Sequence, residues 1–287
     1  MTISAKDVKV LRDRTAAGMM DCKRALEETG GDMEAAVDFL RAKGAAKAAK
    51  RAEKSANEGT IGHYVHFDGK TAVLVEVNCE TDFVAKSDAF VATAQALTDF
   101  ALACTADEGA ENVLATAIDG RKFSDLLTEI VSKTGEKTQV GDYAKYKLDG
   151  PGLISTYVHF NHKVGTMVQI ETGDDATAGA EAIKQTACDI AMHVTATKPL
   201  TLDKDQIDPA TIEREKAIFA EQVKNKPAEI VDKIVEGKLK KFFAENCLLR
   251  QAFVKDDSKT VEQVLANAAK EAGGQAKIRR FVRFELG

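Results

Sequence analysis

Apolar positions in the first 43 residues recur at helical spacing. Val8 and Leu11 share one face of a helix that Ser4 can cap and that runs to about Arg14. Met19 and Met20 precede a second helix, which reaches about Glu28 and turns Ala25 and Leu26 inward. Gly30-Gly31 marks a turn. Asp32 can cap a third helix, in which Met33, Ala36, Val37 and Leu40 fall at i, i+3, i+4 and i+7. The pattern predicts a three-helix bundle with a small core. An Ala/Lys-rich tether follows at residues 44–58, GAAKAAKRAEKSANE, helical by propensity and basic through Lys43, Lys47, Lys50, Arg51 and Lys54. No aromatic interleaves those charges, so a solvated helical linker is the plainer reading, with a phosphate- or RNA-binding face as the alternative.

The pattern then changes to strands, and it repeats. Residues 59–67 read GTIGHYVHF and residues 152–160 read GLISTYVHF. At the same offset of 93 residues Lys70 matches Lys163, Val75 matches Val168, and Thr93-Ala94 matches Thr186-Ala187. Each copy reads strand, tight turn, strand, loop, helix: about 60–67, 71–78 and 88–103, then 153–160, 164–171 and 177–196. Asp68-Gly69 is a hairpin signal, and Asn161-His162 a weaker one in the same place. Two related subdomains of antiparallel sheet with helix cover are the economical inference. Farther on, Asp208-Pro209 opens a helix carrying Ile212, Phe219 and Val223. Asn225-Lys226-Pro227 ends it, and a second helix carries Ile230, Ile234, Val235, Leu239 and Phe242. Together they predict an antiparallel helical hairpin. Ser258 is then expected to cap a helix with Val261, Val264 and Leu265, and Ile278 to Leu286 to return as a strand to the second sheet. The fold class expected is α+β, divided at 1–54 (bundle and tether), 55–148, 149–205, 206–245 (the hairpin) and 246–287.

Composition narrows the function. The 287 residues are 44% hydrophobic and 30% charged, with a formal net charge of -5. That balance disfavours general attraction to nucleic acid or to an anionic membrane. No stretch approaches the about 18 apolar residues of a membrane span, and the N-terminus lacks a signal-peptide core. The five cysteines are scattered without a CxxC, so a reduced, cytoplasmic protein without a metal site is expected. Aromatics are 6%, too few for stacking platforms. None of HExxH, GxSxG, GxGxxG or GxxxxGK[ST] occurs. His66 and His159 stand at equivalent repeat positions, which favours a structural over a catalytic role. No enzyme and no cofactor is expected.

The informative segment is NCETDFVAK, residues 78–86, between a strand and a helix. The second copy is an internal control. There Asp175 faces Asp82, but Ala176 faces Phe83 and Thr177 faces Val84. Phe83 either packs beneath its own loop or is offered to a partner.

LRDRTAAGMMDCKRAL (Leu11 to Leu26) and EVNCETDFVAK (Glu76 to Lys86) closely resemble the two sequence motifs of the elongation factor Ts family. The resemblance continues through the tether, IAMHVTATKP, IVEGKLKKF and the terminal RFELG. It implies a nucleotide exchange factor for elongation factor Tu, without covalent chemistry. The first module would be a ubiquitin-associated-like bundle docking on the G domain of elongation factor Tu through positions matching Arg12, Met19, Met20 and Lys23; periodicity alone would put both methionines in the core. Thr81, Asp82, Phe83 and Val84 match the segment that inserts near the partner's magnesium site and displaces Mg²⁺ and GDP. His159 matches a further interface residue, and the second subdomain would grip domain 3. The helical hairpin is also a candidate surface for pairing two copies. Two departures stand out: Thr15-Ala16 replaces the usual Thr-Gly, and the chain ends at Gly287, where many of the family continue, so contacts from such a segment are expected to be absent.

Overall fold

Ser4 accepts the Asp7 N–H at 3.1 Å and Asp32 accepts the Ala35 N–H at 3.0 Å, so two of the three N-terminal helices start at the caps the sequence offers. The computed structural model describes residues 3–15, 17–51 and 53–287. Ala16, and the side chains of Lys47 and Lys50, lie outside what is described. Helices α1 (Ala5–Thr15), α2 (Met19–Glu28) and α3 (Met33–Arg51) enclose Val8, Leu11, Cys22, Ala25, Leu26, Ala36 and Leu40. Met19 and Met20 lie within α2 rather than before it. Residues 44–51 of the tether continue α3, and the described residues 53–57 leave the helix before β1 begins. The tether's first residue is packed rather than solvated: Gly44 is buried against Thr128 and Ser132, where a side chain would collide.

The first repeat comprises β1 (Glu58–Val65), β2 (Thr71–Cys79), the short α4 (Asp82–Ala85) and α5 (Asp88–Ala103). A stretch with no counterpart in the sequence reading follows: α6 (Ala110–Ala115), the two-residue strands β3 (Ala117–Ile118) and β4 (Arg121–Lys122), α7 (Phe123–Thr134) and β5 (Thr138–Lys147). β5 completes an antiparallel sheet of order β1-β2-β5. The second repeat comprises β6 (Gly152–Val158), β7 (Val164–Thr172), α8 (Asp175–Gly179) and α9 (Glu181–Thr197). The hairpin is α10 (Pro209–Gln222) and α11 (Ala228–Asn246), with Asp208 capping α10 through the Ala210 N–H at 3.0 Å. β8 (Ala252–Phe253), β9 (Asp256–Thr260), α12 (Val261–Glu271) and β10 (Ala276–Glu285) end the chain, and β10 joins the second sheet, ordered β10-β7-β6.

The cap of α12 departs from expectation. Ser258 lies in β9 and bonds Asp256; the cap is Thr260, whose Oγ1 accepts the Gln263 N–H at 3.2 Å while Gln263 Oε1 accepts the Thr260 N–H at 2.9 Å. Thr-Val-Glu-Gln is a capping box two residues beyond Ser258, and its two reciprocal bonds outcompete a single hydroxyl.

The two sheets lie face to face between two helical layers. Along β2, Val73, Val75, Val77 and Cys79 turn to α5 and α7 with Phe90, Leu97 and Ile130. Along β7, Val168 and Ile170 turn to α9 and α12 with Ile190 and Leu265. The opposite faces meet: Ile61, Ala72, Leu74 and Tyr146 of the first sheet share a cluster with Ile154, Met167 and Phe284 of the second. Both faces of the central strands are therefore buried, which is why TAVLVEV reads as a nearly continuous apolar run. No helix among the described residues is long and apolar enough to cross a membrane.

Candidate functional site

β2 carries the chain into the turn that holds Thr81 to Val84. Thr81 takes extended geometry and caps α4, its Oγ1 accepting the Val84 N–H at 3.4 Å. Ser87 starts α5 three residues later and donates from its hydroxyl to the Val84 carbonyl at 2.8 Å. So short a helix has no stability of its own and exists by these caps and by packing. Successive helical residues point about 100° apart. With Ala85 buried and Val84 against the first core, Phe83 is left facing water, 83% exposed. An unburied phenylalanine forgoes about 1.5–3 kcal/mol of transfer free energy. Of the two readings of Phe83, packing beneath its own loop is excluded by this exposure.

Asp82 stands beside it and accepts a hydrogen bond from Lys86 Nζ at 2.8 Å. That bond holds its carboxyl below the usual carboxylate range, with a smaller contribution from the charge of Lys163. Lys163 closes the β6–β7 turn and bonds Glu58 at 2.7 Å, so the hairpin that carries His159 adjoins this turn.

Two carboxylates fix the base of the turn. Glu136 accepts from the Thr81 N–H at 3.0 Å and from the Thr81 hydroxyl at 2.7 Å. Glu80 accepts from the Lys137 N–H at 2.6 Å and from Arg51 Nη1 at 2.7 and 2.9 Å. The Lys137 N–H first, then Arg51, draws the Glu80 carboxyl below its usual range. Beneath them, burial and then the Glu136 charge push the Cys79 thiol up to about 12, and its S–H donates to the Thr81 carbonyl at 3.2 Å. Glu136 was not legible as a site residue: it lies outside the repeat, 55 positions from Thr81.

The remaining candidates lie elsewhere. Arg12, Met19, Met20 and Lys23 are all exposed on the bundle, Met19 by 48% and Met20 by 67%. Periodicity misplaces both methionines; they are surface residues because α2 turns Cys22, Ala25 and Leu26 to the core instead. Lys23 approaches Glu27 at 3.7 Å. His159 contacts the Tyr157 hydroxyl through Nδ1 at 3.2 Å, and Phe160 beside it is exposed. Its repeat partner His66 pairs instead with Asp68 at 2.9 Å. The structure thus gathers Thr81 to Val84 in one turn, sets the His159 hairpin alongside, and keeps the bundle residues on a separate surface. Among the described residues no group of three or more His, Cys, Asp or Glu could hold a metal ion. A cleft of about 490 Å³ between the bundle and α7, lined by Arg14, Arg41, Arg121 and Glu129, includes none of the turn residues.

Known proteins resemble this chain along its whole length. The family model described as Elongation factor TS matches residues 80–287. A protein of a Nitratiruptor species named elongation factor Ts is 45% identical over 289 residues, spanning 100% of this chain and 94% of its own. Proteins of the same name from Nitratidesulfovibrio vulgaris and Clostridium botulinum are each 42% identical, over 100% and 99% of this chain and 96% and 93% of theirs. Matches of this depth mean that the chain belongs to the elongation factor Ts family.

Proposed function

We propose that this chain is a guanine nucleotide exchange factor acting in the cytoplasm on elongation factor Tu. The observation that carries the reading is Phe83, an exposed ring on a turn fixed from below, where the sister copy has Ala176. The work is a matter of binding. A nucleotide held at nanomolar affinity is bound by about 12 kcal/mol. A factor that prefers the empty or distorted nucleotide site lowers that affinity by its own preference for it. Nucleotide must then weaken the factor by the same ratio, so the factor leaves when GTP arrives.

The partner's Mg²⁺ requires near-ideal octahedral geometry and tolerates displaced ligands badly. Phe83 and Val84 wedge between helices of the G domain, and the helix that moves carries the magnesium ligands with it. Asp82 exchanges its Lys86 partner for a donor on the displaced helix and keeps the turn in register. Burying the Phe83 ring in the partner recovers about 1.5–3 kcal/mol, available only in the distorted state. The bundle, ubiquitin-associated-like in fold, docks through Arg12, Met19, Met20 and Lys23, where flexible thioethers suit an adaptable surface. His159 and the second sheet hold domain 3. The hairpin exposes Ile218 and Ile230, a surface on which two copies can pair.

The test is release of fluorescent GDP from elongation factor Tu at substoichiometric amounts of this protein. Many rounds of accelerated release are expected, and Phe83→Ala should lose most of the acceleration. A folded wild-type protein that accelerates nothing would reject the function; a fully active Phe83→Ala would reject the wedge.

A further inference from the structure

A ring held in water can act as a wedge only if the turn beneath it does not yield, and α4 is too short to supply that stiffness itself. The clamp at its base is reciprocal. Glu136 takes the N–H of Thr81, and Glu80, next to Thr81, takes the N–H of Lys137, next to Glu136. The last backbone pair of the β2–β5 ladder is Cys79 with Thr138. The two carboxylates therefore continue the ladder one step past its end with side chains as acceptors. Glu136 does more. Because the Thr81 hydroxyl gives its proton to Glu136, its lone pair is directed to the Val84 N–H, and the cap of α4 is set from outside the turn.

The sister copy shows that the scaffold does not need this. Gly173 and Asp174 stand where Glu80 and Thr81 do. There the strand end is closed by a backbone bond, Gly173 N–H to the Gln275 carbonyl at 3.0 Å. Asp174 caps α8 alone through the Thr177 N–H at 2.6 Å. The copy that presents alanine manages with a glycine and its own cap. The copy that presents Phe83 has two carboxylates, and through Arg51 the end of α3 is tied to the same point.

We propose that Glu136 is a positioning residue for Phe83, setting the Thr81 cap so that partner binding bends the partner's helix and not the turn. This rests on the reading of the turn as the exchange element. The distortion needed for release depends on Glu136, whereas docking through the bundle and the second sheet does not.

The experiment compares Glu136→Ala, Glu136→Gln and Phe83→Ala, all in the full chain. Fluorescent GDP release from elongation factor Tu is titrated with each protein. Amide exchange at Thr81 and Val84 is followed on each protein alone. Glu136→Ala should lower the maximal release rate about tenfold with little change in the half-saturating concentration or the melting temperature. Its Thr81 and Val84 amides should exchange faster. Glu136→Gln, which keeps an acceptor for the Thr81 N–H but not for the hydroxyl, should fall between Ala and wild type in both readouts. Unchanged amide exchange in folded Glu136→Ala overturns the proposal. So does a wild-type maximal rate in that variant, or a loss confined to half-saturation and melting temperature. If Phe83→Ala releases GDP like wild type, it is the exchange-element reading that falls, and the amide data still judge the clamp.

Discussion

His63 and Thr156 stand 93 positions apart and are bonded to each other, Nδ1 to Oγ1 at 2.9 Å. They are the same position in the two repeats, so their contact sits where the two copies are related to one another. Its surroundings come in matched pairs. The Ile61 N–H donates to the His162 carbonyl at 2.9 Å, and the equivalent Ile154 N–H donates to Gly69 at 2.8 Å. The Leu148 N–H reaches Lys70 at 2.8 Å, and the Leu286 N–H reaches Lys163 at 2.9 Å. Each hairpin turn thus accepts one bond from a strand of the other copy and one from the end of its own sheet, and the arrangement is a pseudo-two-fold dimer within one chain.

The same symmetry gives Gly59 and Gly152 a shared reason to be glycine. A Cβ on Gly59 would run into the Val77 carbonyl oxygen, and one on Gly152 into that of Ile170, the equivalent residue. Because the obstacle is backbone, no side chain can yield. Gly59→Ala and Gly152→Ala should each cost about 2 kcal/mol or more. Gly150→Ala, with open space around it, should cost under about 0.5 kcal/mol. Urea melts of the three variants check this.

The repeat was legible because both copies kept the residues that cross between them, Ile61 and Ile154 among these. β5 was not legible, because its counterpart β10 is separated from β7 by α8 to α12 and β5 from β2 by α4 to α7, so no single offset aligns them. The face-to-face sheets were equally hidden: Ala72 and Leu74 are as apolar as Val73 and Val75, and a run without alternation does not say what covers each side. Of the candidate site, Phe83 and Val84 stand out by contrast with the sister copy, whereas Asp82 faces an identical Asp175 and enters, with Thr81, only through the family resemblance. Glu136 does neither, since a side chain reaching a backbone N–H in a distant segment leaves no period and no motif.

Met167 is fully buried in the cluster between the sheets, against residues contributed by both copies. Met167→Ala should cost about 2–5 kcal/mol. The loss should appear in both halves, as faster amide exchange at Leu74 and at Ile170 together. Loss confined to Ile170 and its neighbours would mean that the sheets unfold separately.

Four of the five thiols are buried, and only Cys188 is exposed. Burial pushes the Cys22 and Cys247 thiols up, and Cys79 up to about 12. The thiolate is the reacting species, so the raised values of these three thiols add to the inaccessibility that all four buried thiols share. Ellman's reagent should titrate one thiol per native chain and all five in denaturant, and Cys188→Ser should leave none reactive in the native state. A second fast thiol would mean that the element burying it opens on the time scale of the reaction.

His193 is wholly buried, and both ring nitrogens are committed to the neutral form. Nδ1 accepts the Val254 N–H at 3.1 Å, which leaves Nε2 to donate to Gln251 Oε1 at 3.0 Å. Burial lowers its pKa below the ordinary value, the Gln251 bond working the other way. Above about pH 6.5 the folded and unfolded chains both hold this histidine neutral, and its contribution to stability is complete. As pH falls below that value the unfolded chain binds a proton that the folded chain refuses, so stability declines until the folded pKa is reached, at no more than about 1.4 kcal/mol per pH unit. His63 shares the direction, from partial desolvation of its ring and then the charge of His162, and because the residue reaches solvent its share is screened. Glu285, drawn down to about 2 by Arg283 and Lys198, loses its contribution only at lower pH, between the ordinary glutamate value and its own, so the windows separate. Urea melts from pH 7.5 to 5 should show the decline, and His193→Gln, less stable at pH 7.5, should remove most of its slope. A slope unchanged in that variant would assign the pH dependence to another group.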